Sequence, residues 1–325
     1  MLQTLRVPVL LTRSSTRCYS STARFTKVRN VPYDGKQKIQ NFDTTQPVLF
    51  KGSFADYPAI AKWFTQDHQS HTILTPELSH HGDAIVPLEL TRFASPENPK
   101  AATFERFNAP LSLLLSHMTG PETPHMRLYL AQHSLSDLPL ALQDQLPTPA
   151  VLMQLGRGDV YASSLWMGRP PTRTPLHRDP NPNLFVQLAE RKIVRLMRPE
   201  VGKGVYERVR REVGKGGGRA SMRGNEMMEG DEMVGLENAV WGDHDEGEGV
   251  EAELESGDGL YIPLGWWHAV HGIGKGANSS VSSLQRDRIT HANGLCAGQL
   301  VVPLMNRLLD FDPHSSFCPI NPGSN

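Results

Sequence analysis

Two side chains that can bind a metal ion lie close together in the segment TPLHRDPNPNLFVQLAERK, residues 174–192. His177 and Asp179 are two positions apart, so on a β-strand they project to the same face and can reach one ion. A non-haem ferrous site needs two histidines and one carboxylate on one side of the metal. An HxD pair alone occurs often by chance, so a distant second histidine is required. His268 in GWWHAV and His271 lie three positions apart and face opposite sides of their strand, so only one of them can point at the ion. The flanking aromatic residues favour His268.

A lysine close to this pair carries a second chemical signal. Lys192 lies in RKIVRLM, where it shares one strand face with Val194 and Leu196. An ammonium group among aliphatic side chains is costly to bury unless it meets an anion. A dicarboxylate cosubstrate bound beside the metal would supply that anion. The alternative is a lysine whose head group extends past the strand end into water, and spacing alone does not separate the two.

The elements that position these residues are mostly strands. Alternating or β-rich segments occur in HMRLYLAQHSL, GDVYASSLWMG and GDGLYIPLGWWHAVHGI, and residues 183–197 predict two strands joined by a tight turn. Residues 46–66 predict a short strand followed by a helix, and PLSLLLSHM predicts a second helix. The sequence therefore predicts a mainly β fold, an antiparallel barrel of the jelly-roll type with N-terminal and C-terminal helices.

The predicted organisation after residue 30 has three parts. Residues 31–125 form an N-terminal elaboration of helices and strands, 126–283 form the barrel, and 284–325 form a tail in which LVVPLMNRLLDF predicts a short helix. Residues 201–256 interrupt the barrel with a basic, Gly-rich stretch followed by a strongly acidic one. Segregated charge and few core-forming residues predict a solvated, largely disordered insertion there.

The first 30 residues differ from the rest in composition. They contain six Arg or Lys residues, several Ser and Thr residues, and no acidic residue before Asp34. This composition is typical of a mitochondrial transit peptide and predicts a matrix location, with cleavage near Ser20 and a disordered leader over 1–30; the alternative is a disordered basic tail. The net charge of −1 gives no electrostatic case for nucleic acid, and no apolar run reaches the roughly 18 residues that span a bilayer. We therefore expect no membrane partner, and the charge carries no strong signal for nucleic acid.

Three segments resemble the JmjC-type, cupin-fold 2-oxoglutarate oxygenases: RLYLAQ (127–132), SSLWMGRPPTRTPLHRDPNPNLFVQLAERK (163–192) and GDGLYIPLGWWHAV (257–270). Within that group the chain is most similar to the small hydroxylases that resemble the asparaginyl hydroxylase of hypoxia-inducible factor. The resemblance implies a double-stranded β-helix barrel, Fe(II) as the metal, and 2-oxoglutarate and O2 as cosubstrates. It also implies iron ligation by His177, Asp179 and His268, and 2-oxoglutarate binding by Tyr129, Thr174, Asn183 and Lys192.

One segment departs from that family and keeps more than one function open. The family has an asparagine and bulky aromatic residues after the third ligand, whereas SSVSSLQRDRITHANG is polar and predicts a shortened final strand. A hydroxylase of a protein side chain or another macromolecule is the first interpretation. A catalytically impaired JmjC-like binding protein is the alternative, and a histone demethylase ranks third. The sequence does not decide between a protein and an RNA substrate, and Ala131 with His133 predicts that substrate preference has diverged from the best-matched relative.

Overall fold

Strands supply most of the regular structure in the computed structural model, which describes residues 24–36, 39, 42–93, 102–155, 160–214, 228, 230–242 and 248–285. The strands are β1 Phe25–Lys27, β2 Arg29–Asn30, β3 Val48–Phe50, β4 Phe64–Gln66, β5 Thr72–Leu74, β6 Ile85–Arg92, β7 Thr103–Pro110, β8 Met126–Ser134, β9 Val160–Gly168, β10 Thr172–Arg178, β11 Asn183–Ala189, β12 Arg191–Met197, β13 Gly249–Leu254, β14 Gly259–Ile262, β15 Trp267–Ile273 and β16 Asn278–Gln285. The α-helices are α1 Pro58–Trp63, α2 Leu111–Thr119, α3 Leu140–Gln143, α4 Pro199–Glu212 and α5 Gly230–Trp241. Short 3₁₀ helices cover Pro76–His81, Leu135–Asp137 and Ala150–Met153.

Two facing sheets form the barrel. The smaller sheet has the order β1-β13-β12-β15-β10, and the larger one has the order β2-β3-β14-β11-β16-β9-β8-β6-β7. From β9 to β12 the chain changes sheet at every strand, and it does so again from β13 to β16. This alternation is that of a jelly roll, so the predicted mainly β barrel is confirmed. The helices α1 and α2 confirm the two helices predicted before the barrel. No described helix has the length and apolar character needed to cross a membrane.

Apolar side chains cover both faces of the larger sheet. Leu184, Val186 and Leu188 of β11 point to the outer core, which the N-terminal helices complete. Phe185, on the opposite face of the same strand, belongs to a separate cluster between the two sheets. Every residue of β11 is therefore buried, which explains why NLFVQLA lacks the alternation of a strand with one solvated face.

The strands at 183–189 and 191–197 do not form the expected hairpin. β11 pairs with β14 and β16, whereas β12 pairs with β13 and β15 in the other sheet. Between them Glu190 adopts a φ of 57°, in the left-handed region that L-residues seldom occupy. Its carboxylate accepts a hydrogen bond from the Thr72 hydroxyl at 3.1 Å. The tight turn therefore redirects the chain from one sheet to the other.

The expected disorder of residues 201–256 is wrong for the part of this segment that the structure describes. It contains α4, α5 and β13, and the two helices pack against the outer face of the smaller sheet. Val205 and Val209 face the same side of α4 and are buried against Leu236 of α5. A buried ion pair between Arg210 and Glu232 joins the helices at 3.1 Å. The segment as a whole is Gly-rich and charged, so its composition does not reveal that its few apolar residues lie on one face of each helix.

Two further expectations differ from the structure at the ends of the barrel. Residues 25–30, predicted to be part of a disordered leader, form β1 and β2, and β1 pairs in parallel with β13. The strand after His268 is not shortened, because β16 runs to Gln285 and pairs with both β11 and β9. Residues 1–23 and the predicted C-terminal helix lie outside the described residues.

Candidate metal centre

A β-bulge in β10 brings the predicted site residues to one face. Thr174 pairs with Val270 and His177 pairs with His268 of β15, so three residues of β10 span two residues of β15. The extra residue shifts the alternation of side chains, and Thr174 and His177 both face the barrel interior although they are three positions apart. Pro175 lies inside the bulge, where its missing N–H costs no ladder hydrogen bond. Asp179 follows directly after the end of β10.

His177, Asp179 and His268 form a cluster whose potential ligand atoms all lie within 4.8 Å of one another. Nε2 of His268 is 3.7 Å from Oδ2 of Asp179, and the two imidazole centroids are 4.2 Å apart. Nδ1 of His177 lies 2.8 Å from the carbonyl oxygen of Pro175. A proton on that nitrogen makes this hydrogen bond and leaves the Nε2 lone pair for a metal.

The donor set fits a divalent iron ion. Burial, together with the neighbouring His177 and against the opposing Asp179 carboxylate, lowers the pKa of His268 to about 4. His268 is therefore a neutral imidazole at neutral pH, as ligation requires. The three donor atoms lie within 4.8 Å of one another, so small side-chain adjustments would let all three make the bonds of about 2 Å that such an ion requires. Two imidazoles and one carboxylate are the donors of a facial ferrous site.

His271 faces away from this cluster, on the opposite side of the strand from His268, as their spacing of three predicts. Its ring stacks on Trp241 with centroids 3.6 Å apart, and its Nε2 is 2.8 Å from Glu237. Both partners belong to α5, which lies on the outer face of the smaller sheet. Of the two candidate histidines in this strand, the structure brings only His268 to His177 and Asp179.

Lys192 occupies the barrel interior with 2% of its surface exposed. Its Nζ donates to the Ser280 hydroxyl at 2.7 Å and lies 3.5 Å from the Tyr129 hydroxyl. It also lies 5.2 Å from the ring centroid of Phe185. None of the described carboxylates lies within ion-pair distance of this ammonium. Burial lowers the pKa of Lys192 to about 7, because the cation loses its hydration without gaining a counterion. An anionic ligand would supply the missing charge.

Three parallel rows of paired residues connect the lysine to the metal cluster. Lys192 pairs with Gly272, which pairs with Thr172. Two residues further along each strand, Val194, Val270 and Thr174 form the next row. Leu196, His268 and His177 form the third row. Thr174 therefore lies between the lysine row and the histidine row, on the same face as both.

Asn183 lies beside the metal cluster rather than beside the lysine. Its Nδ2 donates to Oδ2 of Asp179 at 2.9 Å, which orients the carboxylate. Its Oδ1 is buried and has no hydrogen-bond partner among the described residues. Asn183 is thus placed to position Asp179 and to accept one further hydrogen bond inside the cavity.

Two features of the lysine pocket were missed at the level of sequence. Ser280, in a Ser-rich stretch that predicted a shortened strand, is the hydrogen-bond partner of Lys192. Gly168 pairs with Tyr129, and a Cβ there would lie 2.4 Å from Cδ2 of the tyrosine ring. Only a glycine at this position leaves room for the ring. The alternation of Ser280 and Ser282 along β16 was the available signal for hydroxyls directed to the interior.

Comparison with known proteins agrees with this fold. Residues 40–285 match the family model of the cupin-like domain, which covers more than half of the chain. Lysine-specific demethylase JMJ30 of Arabidopsis thaliana is 27% identical over 232 residues, which cover 70% of this chain and 47% of that protein. Lysine-specific demethylase 8 of Danio rerio is 28% identical over 238 residues, which cover 71% and 51%. Jumonji C domain-containing protein 5 of Drosophila melanogaster is 24% identical over 235 residues, which cover 70% and 52%.

The chain belongs to the cupin-like domain family, and the resemblance to JmjC-type proteins is confirmed. The narrower likeness to asparaginyl hydroxylases stays a prediction, because these relatives have demethylase or Jumonji C names. The chain spans about half the length of the curated relatives it matches.

Proposed function

We propose that this protein is an Fe(II)- and 2-oxoglutarate-dependent dioxygenase that hydroxylates a side chain of a protein or another macromolecule. The observation that supports it is the pairing of two sites in one barrel. A cluster of two imidazoles and one carboxylate lies one row beyond Thr174, and a buried ammonium without a counterion lies on the other side of that residue. A 2-oxo dicarboxylic acid has a chelating end for the metal and an anionic end for the lysine.

The residues around the two sites have separate tasks. His177, Asp179 and His268 would hold Fe(II), and Lys192 with Tyr129 would bind the distal carboxylate of 2-oxoglutarate. Ferrous iron supplies the activation of O2, and the overall reaction converts 2-oxoglutarate, O2 and a C–H bond into succinate, CO2 and a C–OH group.

Apolar residues of the interior cluster, among them Phe185 and Val270, pack between the two sheets. Their side chains would keep water away from the reacting groups. The Asn183 amide donates to Oδ2 of Asp179 and so fixes the orientation of the carboxylate that would hold the metal. Ser280 holds the lysine head group in line with the Tyr129 hydroxyl before a ligand arrives.

Purified full-length protein with Fe(II) and 2-oxoglutarate should release succinate. The His268→Ala variant should lose iron binding and turnover, whereas the matched His271→Ala variant should retain both. The melting temperature of each variant shows whether it is folded. Wild-type protein that neither binds iron nor produces succinate, with or without candidate substrates, would end the proposal.

Lysine demethylation is a second candidate, because the names of the relatives favour it. Hydroxylation of an N-methyl group gives a carbinolamine that releases formaldehyde, so the iron chemistry is shared. Methylated histone peptides that yield formaldehyde in step with succinate would assign demethylation. A stable product that gains one oxygen atom would assign hydroxylation.

The alternative from another class is a JmjC-like binding protein without catalysis. It was motivated by the polar sequence of β16, yet this strand is complete and contributes Ser280 to the lysine pocket. Candidate substrates can be captured with an Asp179→Ala variant and then tested on the wild-type protein. If the wild type binds iron and 2-oxoglutarate but releases no succinate with any of them, this alternative is favoured. Sustained turnover would exclude it.

We also propose that the protein works in the mitochondrial matrix. The support is the Arg- and Ser-rich, acid-free composition of the first residues. Cleavage before Ser20 would keep Arg24, whose guanidinium donates to carbonyl groups of Ala239 and Gly242. A C-terminally tagged full-length protein should enter mitochondria, and replacement of Arg6, Arg13 and Arg17 by Glu should prevent entry. A nuclear location of the wild-type protein would contradict the proposal.

A further inference from the structure

We infer that the free edge of β10 docks an extended, acidic segment of a protein substrate, which adds a strand to the smaller sheet beside the metal cluster. This inference rests on the proposed function and specifies its substrate class. β10 is the last strand of that sheet and pairs on one side only, with β15. Its other edge pairs with no part of the chain that the structure describes. On either side of the bulge at Pro175, the unpaired backbone groups of this edge strand are a template for another extended chain.

The position of this edge relative to the metal cluster decides what such a strand would present. Paired strands lie about 4.8 Å apart, and residues opposite each other direct their side chains to the same face. His177 faces the interior from β10. A substrate residue opposite His177 would therefore direct its side chain into the barrel, toward the metal cluster. Because side chains alternate along a strand, the two residues next to this one would direct their side chains away from the barrel interior.

The charge along this edge favours an acidic partner. Arg173 and Arg178 both have exposed side chains on β10. The guanidinium of Arg127, on β8, is close enough to Arg173 for the two cations to repel each other, and it lies over the ring of Phe93. Arg173 has Glu237 as an ion-pair partner, whereas Arg127 and Arg178 have no carboxylate partner among the described residues. A segment with Asp or Glu flanking the target residue would complement these arginines.

A binding experiment tests the charge preference. The full-length protein with Fe(II) and 2-oxoglutarate, without oxygen, is titrated with three labelled probes. Two are pools of 12-residue peptides with Val and Thr at alternate positions, one rich in Asp and Glu and one rich in Lys and Arg. The third is a 12-nucleotide oligouridine. We expect tightest binding of the acidic pool, weakened by salt. Equal binding of both peptide pools, or tighter binding of the RNA, would overturn the inference.

Charge reversal locates the contact. Arg173→Glu and Arg127→Glu should each weaken binding of the acidic pool about tenfold at low salt. The matched control Lys203→Glu changes an exposed cation on α4 and should leave binding unchanged. Variants that bind the acidic pool as the wild type does would place the contact elsewhere and refute the inference.

An N-methyl scan of one acidic peptide from the pool tests strand pairing itself. Backbone N-methylation removes a donor, so binding should be lost at every second position and kept at the positions between. Equal tolerance along the peptide would refute pairing with β10. Succinate release without peptide, measured on the same samples, separates the two proposals. Protein that turns over 2-oxoglutarate but shows no acidic preference refutes the docking inference alone.

Discussion

Replacing Lys192 by methionine should stabilise the cosubstrate-free protein while it abolishes 2-oxoglutarate binding. Burial lowers the pKa of Lys192 from 10.5 to about 7 in the folded protein. Between pH 7 and pH 10.5 the unfolded chain therefore keeps the Lys192 proton, whereas the folded protein has mostly lost it. Each tenfold difference in proton affinity is about 1.4 kcal/mol, so the buried ammonium costs folding about 4 kcal/mol at pH 7. This cost shrinks as the pH rises toward 10.5, because the unfolded lysine also loses its proton.

Methionine should recover part of that cost. It is close to the length of the lysine stem and places no charge in the barrel, but it leaves Ser280 without its partner, a loss of about 1 kcal/mol. We expect the free energy of unfolding to rise by about 1–3 kcal/mol at pH 7. Urea denaturation measures this difference. Lys203→Met, at a position where 67% of the side chain is exposed, is the matched control and should change stability little.

The second half of the prediction concerns ligand linkage. With Fe(II) and no oxygen, 2-oxoglutarate at one hundred times its Kd should stabilise the wild type by about 2.7 kcal/mol. The Lys192→Met protein should show no such gain at the same concentration. A variant that is less stable than the wild type and is still stabilised by 2-oxoglutarate would refute the reasoning, because the lysine would then be a packing residue.

Three further perturbations test the pocket and its support. The affinity for 2-oxoglutarate should fall as the pH rises above about 7, approaching tenfold per pH unit, because only the protonated lysine pairs with the dianion; calorimetric titration measures it. Gly168→Ala should raise the KM for 2-oxoglutarate about tenfold with a smaller change in kcat, since its Cβ would lie 2.4 Å from the Tyr129 ring and displace the hydroxyl. Gly202→Ala should destabilise the protein by about 1–3 kcal/mol in urea, because its Cβ would lie 2.2 Å from Cγ of Trp267. Gly204→Ala, in the same helix with open space around it, should be neutral or stabilising, and equal losses at both positions would contradict this account.

Residues with strong local signals could be located from the sequence. The two-residue spacing of His177 and Asp179, and the aromatic strand around His268, predicted three side chains that the structure brings within 4.8 Å. The face shared by Lys192, Val194 and Leu196 is buried as its period of two predicts. These signals are local, and a strand displays them whichever sheet it joins.

Sheet membership could not be predicted in the same way. A short turn between two apolar strands usually indicates a hairpin, yet β11 and β12 separate at Glu190 into different sheets. That choice depends on distant partners, since β11 is enclosed by β14 and β16 while β12 is enclosed by β13 and β15. The length of the polar strand β16 was predicted too short for a related reason. Ser279 and Ser283 are buried because their hydroxyls pair with the Trp166 carbonyl and with Ser163, contacts that composition does not show.

The bulge in β10 shows how one backbone irregularity couples the two halves of the proposed chemistry. In a regular strand Thr174 and His177 would face opposite sides, and the row between lysine and metal would lose its hydroxyl. With one extra residue at Pro175 and Leu176, Thr174 pairs with Val270 and His177 with His268, so both face the interior. A proline inside a strand that also contains a metal ligand was the sequence signal for this irregularity. The bulge therefore makes a single barrel face able to contact both ends of a 2-oxo diacid.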